Sequence, residues 1–390
     1  MIARAIVLFV SLILLTDAWL DVRFIRHKGR PWWVRTLWWL TSLLLLVYTF
    51  YLMSLRDFAP YPQTVLNIYL FIIGVWIVPK AIYAICDGLG LLIRRRVMSK
   101  VHWGAVIGCL LAMAIAYIVI NGSTVGFREL EVNRTDYYSA DLPDDFDGYR
   151  IAIFSDIHLG SYNDADSVII NTALDSINAL RADAIFFLGD IQNTRPREIE
   201  EHLWTLKRLK APDGIFSVMG NHDYSKYIGG TEKEKDASVE ETKRLQRQLG
   251  WQLLLNEHTV LRHGGDSIFI AGLEGNEEFN CKAGAHNVER TIEGIPDSTF
   301  SIMMVHNPRY WRRAVLPISK AQLTLSGHTH GGQIKIFGLS PTDIIYSEDV
   351  GMYEEDGRHL FVTKGVGALI PFRYGVPGEV VLMTLHKRNN

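Results

Sequence analysis

Short apolar runs in this 390-residue chain end, one after another, in side chains of the kinds that bind divalent metals. RIAIFSDIH closes on Asp156 and His158, DAIFFLGD on Asp190, and GIFSVMGNHD on Asn221, His222 and Asp223. TFSIMMVHN supplies His306, and QLTLSGHTHG supplies His328 and His330. One histidine at a strand tip is ordinarily structural, but five successive tips carrying Asp, Asn and His point to a shared metal site. Oxygen and imidazole donors without thiolate suit manganese, iron or zinc better than calcium or copper(I). Asp156 and His158, two residues apart on a strand, are expected to face the same way and grip one ion. Asp190 has two carboxylate oxygens with which to bridge a pair of ions, and Asn221 offers a neutral amide oxygen. Two ions about 3.5–4 Å apart clamp a phosphoryl group and present a hydroxide for in-line attack. Flanking glycines keep the loops tight and admit a bulky tetrahedral group.

The elements that would position these tips are legible too. Helical patterns, DADSVIINTALDSINALR and REIEEHLWTLKRLK, separate the first three runs. Strands alternating with crossover helices predict parallel βαβ units of the α/β class, with ligands outside the carboxyl ends of the strands. WQLLLNEHTVL, SIFIAGLE, TFSIMMVHN and QLTLSGHTHG follow more closely, which predicts a mixed or second sheet. A net charge of -2 gives no reason to expect nucleic acid as a partner. The cysteines, Cys86, Cys109 and Cys281, stand too far apart for a thiolate zinc site or a disulfide framework.

The first 120 residues differ in kind from the rest. Four apolar stretches, roughly Ala5–Leu20, Leu37–Leu55, Val65–Ile85 and Val101–Ile120, approach the length of about 20 residues that spans a bilayer. The loop after the first carries Arg23, Arg26, Lys28, Arg30 and Arg35, and the loop after the third carries Arg94, Arg95, Arg96 and Lys100. The positive-inside rule places both loops in the cytoplasm, and hence both termini and the C-terminal domain outside, in a plasma or inner membrane. Asp17 and Lys80 are intramembrane charges expected to pair and staple helices. The predicted organisation is a transmembrane anchor over 1–120, a linker over 121–136 and a catalytic domain over 137–390.

The blocks DIH, GDIQN, GNHD, VHN and GHTHGGQ, in this order and at these spacings, resemble the calcineurin-like metallophosphoesterases. The likeness covers about Tyr137 to Leu385. Its flanks, DLPDDFDGYRIAIFSDIHLG and FVTKGVGALIPFRYGVPGEVVLMTL, are similar to an exported or membrane-anchored bacterial subgroup found alongside phosphodiesterases and UDP-diacylglucosamine hydrolases. The resemblance implies a four-layer α/β sandwich, two mixed sheets flanked by helices, here preceded by an all-α membrane bundle. It implies two divalent ions: Asp156, His158 and His330 on the first, Asn221, His306 and His328 on the second, and Asp190 bridging. It further implies that His222 protonates the leaving oxygen, with Asp223 orienting its ring. Imidazole suits that task near neutral pH. Two departures stand out. The second block ends in Asn193 where the family often has an acidic residue, and YGVPGEV leaves Glu379 a structural role.

Four helices exceed what a tether for a soluble-nucleotide enzyme needs, so the expected substrate is a phosphoester carried on a lipid. The tryptophans of PWWVRTLWWL suit a bilayer interface. GVGALIPF is the candidate acyl-chain surface, and Arg373 the candidate phosphate contact. The alternatives are a tethered general phosphatase or nucleotide phosphodiesterase, and a metal-binding sensor without turnover.

Overall fold

The computed structural model describes residues 2–26, 31–55, 57, 60–97, 101–162, 167–274 and 281–388. They form two compact units, Met1–Thr124 and Val125–Asn390, each with its own core. Lys28, Arg30 and Lys100, which entered the loop-charge reading, lie outside the described residues.

The first unit is helical: α1 (Ile2–Leu20), α2 (Trp32–Ser54), α3 (Thr64–Ile72), α4 (Val78–Val97) and α5 (Trp103–Thr124). A π-helical turn, Ile73–Ile77, joins α3 to α4 just before Pro79, whose missing N–H cannot continue the ladder. Among the described residues, four stretches are long and apolar enough to cross a membrane: Ala5–Ile25, Trp32–Ser54, Thr64–Arg94 and Trp103–Arg128. A Cβ on Gly90 would lie 2.5 Å from the Gly104 Cα, so small residues let α4 and α5 touch backbone to backbone.

The expected charge pair is present. Lys80 Nζ donates to Asp17 Oδ1 at 2.5 Å, and Ser42 Oγ donates to Asp17 Oδ2 at 2.6 Å. The Trp38 and Trp76 rings lie 4.9 and 5.1 Å from the same ammonium. Asp17 is fully buried, so removing only its partner strands a charge. Lys80→Met is expected to destabilise the bundle by about 3–5 kcal/mol, and Lys80→Met with Asp17→Asn to regain most of that. Thermal unfolding of the full chain in detergent measures both, and equal stability of the single variant and the parent would refute the pairing's importance.

The second unit holds two six-stranded mixed sheets. Its strands are β1 (Leu130–Ser139), β2 (Arg150–Phe154), β3 (Ala184–Phe187), β4 (Ile215–Ser217), β5 (Gln252–Leu253), β6 (Glu257–His263), β7 (Asp266–Gly272), β8 (Ser301–Met304), β9 (Leu323–Ser326), β10 (Gly351–Glu355), β11 (Arg358–Val362) and β12 (Gly378–Lys387). One sheet runs β1-β12-β2-β3-β4-β5 and the other β10-β11-β9-β8-β7-β6. Ile151, Ile153, Phe186, Ile302, Leu323 and Leu325 meet in the core between them. Ala152, Phe154 and Phe187 point the other way, under α6 (Ser167–Ala179) and α7 (Arg197–Leu206). Burial on both faces explains why these strands read as unbroken apolar runs. Because β2, β3 and β4 run parallel, as do β8 and β9, their carboxyl ends gather at one edge of each sheet.

The structure corrects the expected 121–136 linker. α5 continues to Thr124, and β1 begins at Leu130, pairing parallel with β12 along its whole length. LEVNRTDYYS carries no apolar run because β1 is an edge strand with only Tyr137 fully buried.

Candidate metal centre

The ligand side chains stand beyond the strands, in the loops. β2 stops at Phe154, β3 at Phe187, β4 at Ser217, β8 at Met304 and β9 at Ser326. Asp156, His158, Asp190, His328 and His330 all take left-handed backbone conformations, with φ of 53°, 51°, 57°, 76° and 53°. This corrects the strand-alternation reading of Asp156 and His158: successive left-handed kinks aim them. Each such residue costs about 1–2 kcal/mol without glycine's freedom, so the surroundings must hold it. They do. Asp156 N donates to Gly189 O at 2.9 Å, His158 N to Asp190 O at 3.2 Å, and His328 N to Asp156 Oδ2 at 3.0 Å. Glycine is required opposite two carboxylates, since a Cβ on Gly220 would sit 2.2 Å from Asp190 Oδ1 and one on Gly327 2.5 Å from Asp156 Oδ2.

Six of the seven expected ligands converge. Among the described residues, three donor groups have their atoms within 4.8 Å of one another: Asp156, His158 and His330; Asp190, His306 and His328; and His158, Asp190 and His222. His330 Nε2 lies 3.5 Å from Asp156 Oδ1, and His306 Nε2 lies 3.1 Å from Asp190 Oδ2. His158 Nδ1, His306 Nδ1 and His330 Nδ1 face the oxygens of Asn193 Oδ1, Leu188 O and Gly367 O at 2.8, 2.8 and 3.2 Å. Those oxygens only accept, so each Nδ1 carries the proton and Nε2 is turned inward, the arrangement of metal-ligating histidines. Asp156 Oδ1, His158 Nε2 and Asn221 Oδ1 are buried with no hydrogen-bond partner. Buried polar atoms are nearly always paired, so orphans of these types, two of them in one donor cluster, fit divalent ions.

Burial, with the neighbouring His222, His306 and Arg373 charges respectively, lowers His158, His328 and His330 to about 3. These imidazoles are neutral at pH 7, as ligands must be. Burial opposes the charge of His306 as well, but Asp190 and Asp156 outweigh it and push that imidazole up to about 10. For Asp190, burial raises the carboxyl, and His306, His222 and His158 more than offset it, holding it well below the usual range. An ion held by His306 would therefore have to displace its proton. Below that group's raised value the protonated form prevails, so affinity should strengthen with pH, by up to about tenfold per unit around neutrality. Titration calorimetry of the stripped protein in buffers of different ionisation enthalpy should show about one proton released. Metal uptake without proton release would contradict the His306 assignment.

Two expected roles move. Asp223 does not touch the His222 ring. Its carboxylate accepts from the backbone N–H of Asp190, Ile191, Gln192 and Gly220 at 2.9, 3.1, 3.3 and 2.9 Å, lashing the β3 and β4 tips together. The His222 ring is instead oriented by Asn193, whose carbonyl oxygen lies 2.7 Å from Nδ1. Arg373 is fully buried and cannot meet a phosphate. Its guanidinium donates to the carbonyls of Lys364, Gly365 and Gly367 at 2.9, 3.0 and 2.5 Å, which shapes the backbone behind Asp156 and His330. Glu379 is structural as expected, accepting from Thr363 Oγ1 and the Lys364 N–H at 2.7 and 3.0 Å.

Asn193 proves more than a departure from a pattern. Its side chain holds His158 and its carbonyl holds His222, while the buried Glu198 accepts the Asn193 N–H and fixes the loop. Nothing in the sequence distinguished it except its place after GDIQ. Asn193→Ala keeps the carbonyl but frees His158, and should cost about 10–100-fold in metal affinity and turnover. Asn193→Asp keeps an acceptor and should recover most of it. Metal titration beside kcat/KM separates this positioning role from a general loss of fold.

Residues 149–332 match the family described as Calcineurin-like phosphoesterase, and residues 3–127 match Probable Calcineurin-like phosphoesterase, transmembrane domain. A metallophosphoesterase of Bacillus subtilis (strain 168), YkuE, is 32% identical over 271 residues, 67% of this chain and 87% of the relative. One from Aquifex aeolicus (strain VF5) is 27% identical over 245 residues, 62% of this chain and 86% of the relative. A Danio rerio transmembrane protein with metallophosphoesterase domain is 26% identical over 252 residues, 63% of this chain and 54% of the relative.

Proposed function

This chain belongs to the calcineurin-like phosphoesterases, as a membrane protein and metal-dependent phosphoester hydrolase of that family, and from that premise we propose that it cleaves a phosphodiester or pyrophosphate bond on a lipid-linked substrate. The observation that carries the hydrolytic part is the set of buried, orphaned donors on Asp156, His158 and Asn221, with Asp156 and His158 in donor clusters that also hold Asp190, His222 and His330. In this reading Asp156, His158 and His330 hold one ion, Asn221, His306 and His328 a second, and Asp190 is shared. Bound there, manganese, iron or zinc would supply Lewis-acid polarisation of the phosphoryl oxygens and a nucleophile at neutral pH. His222 keeps its Nδ1 proton on the Asn193 carbonyl and offers Nε2 as the atom that delivers a proton to the leaving oxygen.

The lipid-linked part is supported by four apolar spans where one would tether a soluble-substrate enzyme. Arg23, Arg26, Arg35 and Arg94 support a cytoplasmic side for the first and third loops, and so an extracytoplasmic catalytic unit. The full-length protein in detergent, stripped and reloaded with manganese, zinc or iron, should hydrolyse a lipid pyrophosphate such as UDP-diacylglucosamine in preference to soluble esters. Turnover confined to small phosphodiesters or monoesters would make it a tethered general phosphoesterase. Two bound ions without turnover would make it a sensor.

A further inference from the structure

Just after the turn His330–Gly332, which carries a candidate metal ligand, the chain makes a feature that the centre does not use. Ile336 and Leu339 exchange backbone hydrogen bonds in both directions at 3.0 Å, leaving Phe337 and Gly338 as a two-residue hairpin tip. Their φ values, 52° and 83°, are those of a type I′ turn, whose first position ordinarily goes to asparagine, aspartate or glycine. A bulky aromatic in left-handed backbone is an outlier. This one gains nothing from packing in return, since Phe337 is fully exposed. Leu339, Ile344 and Ile345 beside it are 74%, 90% and 57% exposed.

The tip is convex and firmly based. Ser340 Oγ donates to Gly331 O at 3.0 Å, Ser340 N to Asp343 Oδ2 at 2.7 Å, and Thr342 Oγ1 to Asp349 Oδ2 at 2.8 Å. Arg309 Nη2 donates to Ile345 O at 2.8 Å while its guanidinium lies 4.2 Å from the Tyr346 ring, which stands 5.9 Å from the His328 ring. Four large apolar side chains thus stand on a hydrogen-bonded base a few residues from a candidate metal ligand, with Lys335 and Asp343 exposed beside them.

We propose that residues 336–345 insert into the surface of a lipid bilayer and so bring the mouth of the metal centre to lipid headgroups. The occupant follows from the chain itself. Its four membrane spans keep a bilayer always at hand, and a fully exposed apolar tip suits a fluid layer. The inference deepens the lipid-linked reading and rests on it for its purpose, although its first test does not.

That test uses the full chain in nanodiscs containing anionic phospholipid and shallow doxyl-labelled lipid. Cys86, Cys109 and Cys281 are replaced by serine, and an environment-sensitive fluorophore is attached through Phe337→Cys or, as control, through Lys233→Cys on the exposed face of the Glu232–Gln248 helix. Quenching at the tip at least about twofold above the control supports insertion. Equal quenching overturns it, and equal quenching with crosslinking between chains through the tip label would assign the patch to a second copy. Phe337→Ser and Leu339→Ser together should raise KM about tenfold for a phosphoester dispersed in lipid and leave kcat/KM for a soluble ester unchanged. Parallel losses on both esters would overturn the docking role. A quenched tip in a protein that ignores lipid esters would instead remove the lipid-linked substrate while leaving the docking intact.

Discussion

Asp190→Ala should abolish metal-dependent turnover, lowering kcat/KM by at least about a thousandfold. Asp190 belongs to two of the three donor groups, and its two oxygens are already divided in labour. Oδ1 accepts the His222 N–H at 2.8 Å, while Oδ2 lies 3.1 Å from His306 Nε2 and 3.7 Å from His158 Nε2. Removing the carboxylate therefore takes a ligand from both halves of the centre and the chief counter-charge from His306. The loop should survive, because Asp223 still gathers the backbone N–H groups on either side. Elemental analysis of the purified variant should show less than two ions per chain, with circular dichroism unchanged. A variant that keeps both ions and turns over within tenfold of the parent would sink the shared-ligand assignment.

His222→Ala is expected to cost about 10²–10⁴-fold, and its signature lies in the leaving group. A proton donor matters most where the departing oxygen is basic. The loss should therefore be large on alkyl esters and small on nitrophenyl esters, with metal content unchanged. His222 also lies within ligand distance of His158 and Asp190, so the rival outcome is specific. Loss of an ion on substitution would make it a ligand, and equal losses on both esters would make it an electrostatic contact rather than an acid.

Much of this is legible in the sequence alone. Strands such as Arg150–Phe154, buried on both faces, leave an apolar signature that does not depend on neighbours, and the donor types at their ends identify hard-metal chemistry. What was not legible depends on backbone handedness and on partners distant in the chain. Asp156 and His158 look like strand alternation, but both lie in left-handed turns held by partners distant in the chain, the Gly189 and Asp190 carbonyls among them. Asp223 beside His222 reads as a ring partner, yet four N–H donors from two loops claim its carboxylate first. Arg373 reads as a surface cation because nothing local reveals the carbonyls of 364–367 that bury it. Residues 130–136 of the edge strand read as linker because one-sided burial leaves too few apolar residues to notice.

The histidines that reach from one sheet's tips to the other's give the centre a mechanical side. His306, from β8, hooks its ring onto Leu188 O and Asp190 beyond β3, and His328, from β9, hangs its N–H on Asp156 beyond β2. Ions gripping both sets of tips would act as rivets across the seam of the sandwich. Ligand binding to the folded state alone adds to its stability by mass action. Metal supply would then govern how long the catalytic unit survives heat or proteases, as well as how fast it turns over.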